Sequence, residues 1–256
     1  MSLPVTRRTF VATAIGGAAA TAGLGALSAP TGQPRIKALL FDAFPIFDAS
    51  PVTALADRFF GNLGAQLSAE WRTRQFEYTW LRTAAGRYAD FWQVTGDALD
   101  FASHKVGVSP SVEQRDALMN AYLEVSMWPD APAALGSLRR AGLRLAFLSN
   151  WTPRMLDANV RRANASDTFE HVLSTDRAKT FKPDPRAYQL GIDALRLDRA
   201  SILFVAGAGW DASGAKLFGY PTFWVNRQRL PAEVLGVQAD GSGSTLTDLV
   251  SFLRLE

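Results

Sequence analysis

Apolar residues in this chain gather in short dense runs, and each run gives way to polar residues of a chemically useful kind. Ile36–Phe41 closes on Asp42, Leu143–Leu148 closes on Ser149-Asn150, and Ile202–Val205 lies ahead of Asp211; Thr222–Val225 is a shorter run of the same sort. Runs this short and this apolar predict strands buried on both faces. Helical spacing is predicted between them, over Ala131–Arg140, Arg154–Ala163, Pro185–Ala194 and Asp211–Phe218. Strands alternating with helices give an α/β fold, a doubly wound parallel sheet with helices on both faces. Ligands of such sheets sit beyond the carboxyl ends of the strands. The polar residues that follow each run are therefore where chemistry is expected.

One interval breaks the alternation. Between the first and second runs lies a helical, aromatic-rich insertion, residues 51–128. Trp71, Phe76, Tyr78, Trp80, Tyr88, Phe91 and Trp92 are more aromatic than a solvent-facing helix pair requires. Arg72, Phe76 and Trp80 are spaced i, i+4, i+8, so one helix face carries a cation beside aromatic rings. Ser109-Pro110 predicts the start of a later helix, a cap residue before a first-turn proline. The insertion is expected to form a cap domain over the carboxyl edge of a core built from residues 34–50 and 129–256. Gly241-Ser242-Gly243-Ser244 reads as a loop.

The N-terminus reads as an address. Thr6-Arg7-Arg8-Thr9-Phe10-Val11 precedes a weakly apolar run from Ala12 to Leu27, with small residues near Ser28 and Ala29. Paired arginines before such a run match a twin-arginine export signal over residues 1–33. That predicts a periplasmic or otherwise exported protein carried by the twin-arginine machinery, with an uncleaved membrane anchor as the alternative. The segment also changes the charge balance. The chain has 27 Lys and Arg against 24 Asp and Glu, and setting Arg7 and Arg8 aside leaves 25 against 24. No basic run interleaves with aromatics, so nothing calls for nucleic acid. With no cysteine, disulfides, thiolate catalysis and zinc-thiolate sites are excluded. His104 and His171 are too few for a histidine-rich metal centre.

Four positions can converge at the strand ends. Asp42 is a carboxylate at the tip of a buried strand, and a nearby cation would keep it ionised and nucleophilic. Lys182, in the proline-flanked turn Phe181-Lys182-Pro183-Asp184-Pro185, offers that cation. Ser149-Asn150 supplies a hydroxyl, an amide and backbone donors able to hold an anion. Asp211 could orient a water or anchor Lys182. Each also has an ordinary reading, as a helix cap, a turn or a surface residue; their placement after successive strands joins them into one candidate site.

In that order, Phe41-Asp42-Ala43-Phe44, Leu148-Ser149-Asn150, Phe181-Lys182-Pro183-Asp184 and Trp210-Asp211-Ala212-Ser213-Gly214-Ala215 resemble the four motifs of the haloacid dehalogenase superfamily. The segment from Trp71-Arg72 through Arg87-Tyr88-Ala89-Asp90-Phe91 is similar to the cap of the type II (S)-2-haloacid dehalogenases. The resemblance implies that Asp42 displaces halide from an (S)-2-haloacid and forms an aspartyl ester, which water opens to the (R)-2-hydroxyacid. It further implies that Arg72 stabilises the leaving halide, that Ser149 and Asn150 hold the substrate, and that Lys182 balances Asp42. Asp211 would position the water, Tyr188 would lend a supporting hydroxyl, and Phe44, Phe76, Phe91 and Trp210 would wall the pocket. No metal and no cofactor are implied, and a homodimer is compatible with the aromatic surplus. Superfamily phosphatases carry a second carboxylate two residues after the nucleophile, as proton donor and support for magnesium; here that position is Phe44.

Two stretches depart from the type II pattern. The loop after Asp42-Ala43 runs Phe44-Pro45-Ile46-Phe47-Asp48, one residue shorter and without the usual glycine and threonine. The fourth motif reads Ala206-Gly207-Ala208-Gly209-Trp210-Asp211, with Ala208 where an asparagine is usual, and Trp151 follows Asn150 where a small residue is common. Three readings stay open: a dehalogenase with a rebuilt loop, a relative acting on another small carboxylate electrophile, and a weakly active or inactive carboxylate-binding protein.

Overall fold

A computed structural model describes residues 36–255; the expected twin-arginine signal at 1–33 lies outside the described residues. In chain order the elements are β1 (Ala38–Phe41), β2 (Phe47–Asp48), α1 (Ser50–Phe60), α2 (Gly64–Ala84), α3 (Phe91–Val106), α4 (Val112–Ala121) and β3 (Ser126–Met127). There follow α5 (Ala131–Arg140), β4 (Arg144–Ser149), α6 (Pro153–Arg162), β5 (His171–Ser174), α7 (Pro185–Leu195), β6 (Ile202–Ala206), α8 (Gly209–Phe218), β7 (Thr222–Val225), β8 (Gly241–Gly243) and α9 (Leu246–Phe252).

The main sheet has the order β5-β4-β1-β6-β7-β8, and every pairing in it is parallel. After β1 the chain builds β4 and β5 on one side, then returns to lay β6 on the other. Strand β1 is thus the point where the order reverses, the place where such sheets open a crevice at their carboxyl ends. All four residues of β1 are fully buried. Leu39 and Phe41 face one core with Leu145, Phe147, Leu203 and Val205, while Ala38 and Leu40 face the other with Ala146, Leu148 and Phe204. Helices α7 and α8 cover that second face through Tyr188, Leu195, Ala212 and Ala215. Helices α5, α6 and α9 cover the first, and the buried residues of α1, α2 and α3 join the same core.

The inserted helices leave and rejoin the sheet through a two-stranded stem, β2 against β3, antiparallel with Phe47 opposite Met127 and Asp48 opposite Ser126. Inside the insertion α2 packs along α3. Their contact is tied by Trp71 Nε1 donating to Thr95 O at 2.8 Å and Gln75 Nε2 donating to Thr95 Oγ1 at 3.0 Å.

Two expectations need correction, and one strand was not expected. Residues 241–243 are not a loop but the edge strand β8. A Cβ on Gly241 would come within 2.6 Å of the Phe252 ring, and one on Gly243 within 2.3 Å of Asp248, so small residues are what let α9 lie against this strand. The helix expected from Ser109-Pro110 starts later, at Val112, because Ser111 and Gln114 form a reciprocal capping box. Strand β5, His171–Ser174, had no expectation attached, since only Val172 and Leu173 give it an apolar signal.

Candidate active site

Strand β1 delivers Asp42 to the crevice, its N–H still in the ladder as a donor to Val205 O at 3.0 Å. The chain then turns sharply: the amides of Ile46 and Phe47 both donate to Ala43 O. Within that turn Phe44 N donates to Asp42 Oδ2 at 3.2 Å. Lys182 comes from the turn before α7, where Asp184 caps the helix through Arg186 N. Its ammonium reaches Asp42 Oδ1 at 2.9 Å and Asp211 Oδ2 at 2.5 Å, and lies 5.1 Å from the centre of the Phe204 ring. Asp211, in the first turn of α8, accepts on its other oxygen from Tyr188 Oη at 2.8 Å.

Asp42, Lys182, Asp211 and Tyr188 are all buried. Burial alone would strip the charge from Lys182, but Asp211 and Asp42 outweigh it and hold the ammonium above its ordinary range. Asp211 moves the opposite way for a carboxylate. Burial pushes it up to about 6, the charge of Asp42 adds to the rise, and Lys182 and Tyr188 oppose it. Burial, followed by the Asp211 charge, keeps the Tyr188 phenol protonated well past its usual range.

Beside this triad, Asn150 is locked by its acceptor: Oδ1 receives Lys182 N at 3.0 Å and Thr175 Oγ1 at 3.3 Å. Its buried Nδ2 has no partner among the described residues, so the amide donors are left for a ligand. Ser149 Oγ accepts from Trp151 N at 3.3 Å and keeps its own proton to donate. From the insertion, α2 brings Arg72 to 4.8 Å from the Phe44 ring centre and 5.7 Å from that of Phe76. Arg72 is exposed and has no carboxylate partner among the described residues. A cleft of about 900 Å³ opens there, with Phe44, Arg72, Trp128, Gly207 and Arg227 among its walls.

This geometry has counterparts in known proteins. The chain matches the haloacid dehalogenase-like hydrolase family over residues 11–219. It is 42% identical over 220 residues to an (S)-2-haloacid dehalogenase of Pseudomonas sp. (strain YL), covering 86% of this chain and 95% of that protein. The chain belongs to the (S)-2-haloacid dehalogenase family. Among solved structures it is similar to an L-2-haloacid dehalogenase at 40% identity and a TM-score of 0.84, covering 86% of this chain and 99% of that one. The L-2-haloacid dehalogenase of Xanthobacter autotrophicus, solved with chloropropionic acid covalently bound, matches at 34% identity and a TM-score of 0.79, covering 86% of this chain and 98% of that one.

Measured against the family pattern, the structure brings Asp42, Lys182, Asp211 and Tyr188 into direct contact, with Asn150 and Ser149 adjoining. Phe76 and Trp210 meet at 5.2 Å between ring centres, and Trp80 closes a three-ring group with them. Phe91 is buried at the start of α3 with its ring edge on Phe181, the residue before Lys182. The departures also have a place. Ala206 ends β6 next to Asp42 in the sheet, and Ala208 precedes α8 without a side-chain cap. Trp151 is buried against Phe44 and Phe47, filling the space beside the shortened loop. Sequence reading passed over Thr175, Trp128 and Arg227, which bond to atoms of the site and its loop from far along the chain.

Proposed function

We propose that this protein hydrolyses the carbon–halogen bond of short (S)-2-haloalkanoic acids, giving (R)-2-hydroxyacids through an ester on Asp42. The carrying observation is the buried Asp42–Lys182–Asp211 arrangement in a site whose residue 44 is phenylalanine. An Asp42 oxygen forms a bond to C2 from the side opposite the halogen, and the halogen leaves with the bonding pair as halide. Water then adds to the Asp42 carboxyl carbon as Asp211 takes one of its protons and returns it to the leaving alkoxide oxygen; the hydroxyacid departs, and the Asp42 carboxyl gives its remaining proton to solvent as the carboxylate is restored. The attack falls on the carboxyl carbon, so the configuration set in the first step is kept.

Lys182 fits the role of balancing the charge of Asp42, and the Asn150 Nδ2, unpartnered among the described residues, and the Ser149 hydroxyl proton fit a substrate carboxylate or halide. Arg72, unpaired beside Phe44, can follow the departing halide. The inserted helices then serve as a cap domain, with Phe44, Phe76 and Trp210 keeping water from the first step. The test is halide release from each enantiomer of 2-chloropropionate, with and without EDTA, by the wild type and Asp42→Asn. Release from the (S) form alone, indifferent to EDTA and absent in the variant, is the expected result. Release from neither enantiomer by folded protein overturns the reading.

A second reading rests on Ala208, where an asparagine is usual, and on the shortened loop, whose Phe44 lines the 900 Å³ cleft together with Gly207. It assigns a bulkier carboxylate electrophile to the same aspartyl ester chemistry, and mass spectrometry of Asp42 after incubation with longer 2-haloacids separates the two. The Arg7-Arg8 segment supports export by the twin-arginine route, which cell fractionation would test. The exposed Trp80 and Leu81 on α2 support a homodimer, which sedimentation would test.

A further inference from the structure

The shortened loop after Asp42 has no threonine hydroxyl of its own to steady the nucleophile, yet it is held at three consecutive carbonyls from outside. Trp128 Nε1 donates to Phe44 O at 3.1 Å, Arg227 Nη2 donates to Pro45 O at 2.8 Å, and Trp128 N donates to Ile46 O at 2.9 Å. The two donors are themselves joined, with the Arg227 guanidinium 4.5 Å from the Trp128 ring centre. Asp130 fixes Arg227 through two parallel bonds of 3.0 and 3.1 Å, and its Oδ2 also accepts from Leu246 N. A bidentate pair of this kind fixes direction as well as distance.

The Pro45 and Ile46 carbonyls share their peptide planes with the Ile46 and Phe47 amides, which both donate to Ala43 O, and Ala43 O in turn shares its plane with the Phe44 amide. Phe44 N points at Asp42 Oδ2, and it is the donor that this oxygen has among the described residues; Oδ1 is taken by Lys182. A carboxylate held at both oxygens presents one fixed line of attack, and a displacement of about 1 Å in such a group costs about a hundredfold in rate. We propose that Trp128 and Arg227 are positioning residues for the nucleophile, aiming the Phe44 amide at Asp42 by gripping the 44–46 carbonyls. They take the place of the hydroxyl the shortened loop lacks. The effect on rate rests on the dehalogenase reading; the effect on the Phe44 amide does not.

The experiment uses the full chain as Trp128→Phe, which keeps the ring and removes one donor, and as Arg227→Lys, which keeps the charge and removes the fork. Halide release is measured alongside the NMR resonance and hydrogen exchange of the 15N-labelled Phe44 amide. The expected result is a fall in kcat of about tenfold or more with KM within about twofold, in protein whose Tm stays within a few degrees. The Phe44 amide resonance shifts and its exchange speeds up. An unmoved Phe44 amide in both variants overturns the proposal, as does an amide that moves while kcat is unchanged. Loss of activity that only tracks loss of folded protein, with the amide unmoved in the folded fraction, also overturns it. If the wild type releases no halide, the function falls, and the amide alone decides whether the grip exists.

Discussion

A lysine with 1% exposure keeps its proton here because two carboxylates reach it from opposite sides. The same arrangement sets the timing of Asp211. In the free site the charge of Asp42 helps hold Asp211 at about 6. Once Asp42 is an ester that charge is gone, Lys182 acts on Asp211 alone, and the Asp211 pKa must fall. Asp211 can take a proton from water only when ionised, so ester hydrolysis gains rate as pH rises through that lowered value. Carbon-13 carboxyl NMR of the free protein should follow Asp211 titrating near 6, and the acid limb of single-turnover hydrolysis should lie lower. A hydrolysis limb at or above 6 would remove Asp211 from the role of base. At this scale Asp42, Lys182 and Asp211 were legible because they stand at a strand end, in a proline-flanked turn and in the first turn of the helix that follows a strand. Thr175, Trp128 and Arg227 were not: they work through hydrogen bonds to atoms 25 to 182 residues away, and such pairings leave no local pattern.

Among the elements, α8 is set so close to α7 that only glycine fits at the contact. A Cβ on Gly214 would meet Tyr188 Oη at 2.5 Å and Pro183 Cβ at 2.8 Å. Both neighbours belong to the site, since Tyr188 bonds Asp211 and Pro183 follows Lys182. Gly214→Ala should therefore cost about 1–3 kcal/mol of stability through overpacking. It should also lower kcat, as thermal melting and halide release would show; unchanged kcat in a destabilised protein would mean the contact serves packing alone. The strands that were legible are those with apolar runs on both faces, β1, β4, β6 and β7. Strand β5 has only two apolar residues, and β8 is Gly-Ser-Gly, a composition shared with loops. What makes β8 a strand is its neighbour β7 and the helix packed beneath it, which no window of sequence contains.

Taken whole, the molecule joins the inserted helices to the sheet at the β2–β3 stem and at contacts across the crevice. Tyr88 Oη donates to Asp176 Oδ1 at 2.7 Å with its ring against Phe181, and the Arg154 guanidinium lies 4.8 Å from the Trp92 ring centre. Tyr88→Phe removes the hydrogen bond to a charged acceptor and keeps the ring, so the closed arrangement loses on the order of 1 kcal/mol. KM for 2-chloropropionate should rise about fivefold with kcat little changed; steady-state kinetics showing KM unaltered would deny this contact a part in closure. The helical character of the insertion was legible from its sequence pattern, but these cross-crevice contacts depend on how it folds back. A last consequence follows from the charges gathered around Lys182. One cation stands between two anions in a place nearly closed to water, so at neutral pH the resting protein stores one surplus buried negative charge. Esterification moves it: one cation then faces one anion at Lys182, and the remaining negative charge is the substrate's own carboxylate at the Ser149 and Asn150 donors. The covalent intermediate is then the form in which each charge in the site has its own partner, and protein trapped as the ester should melt at a higher temperature than the free enzyme.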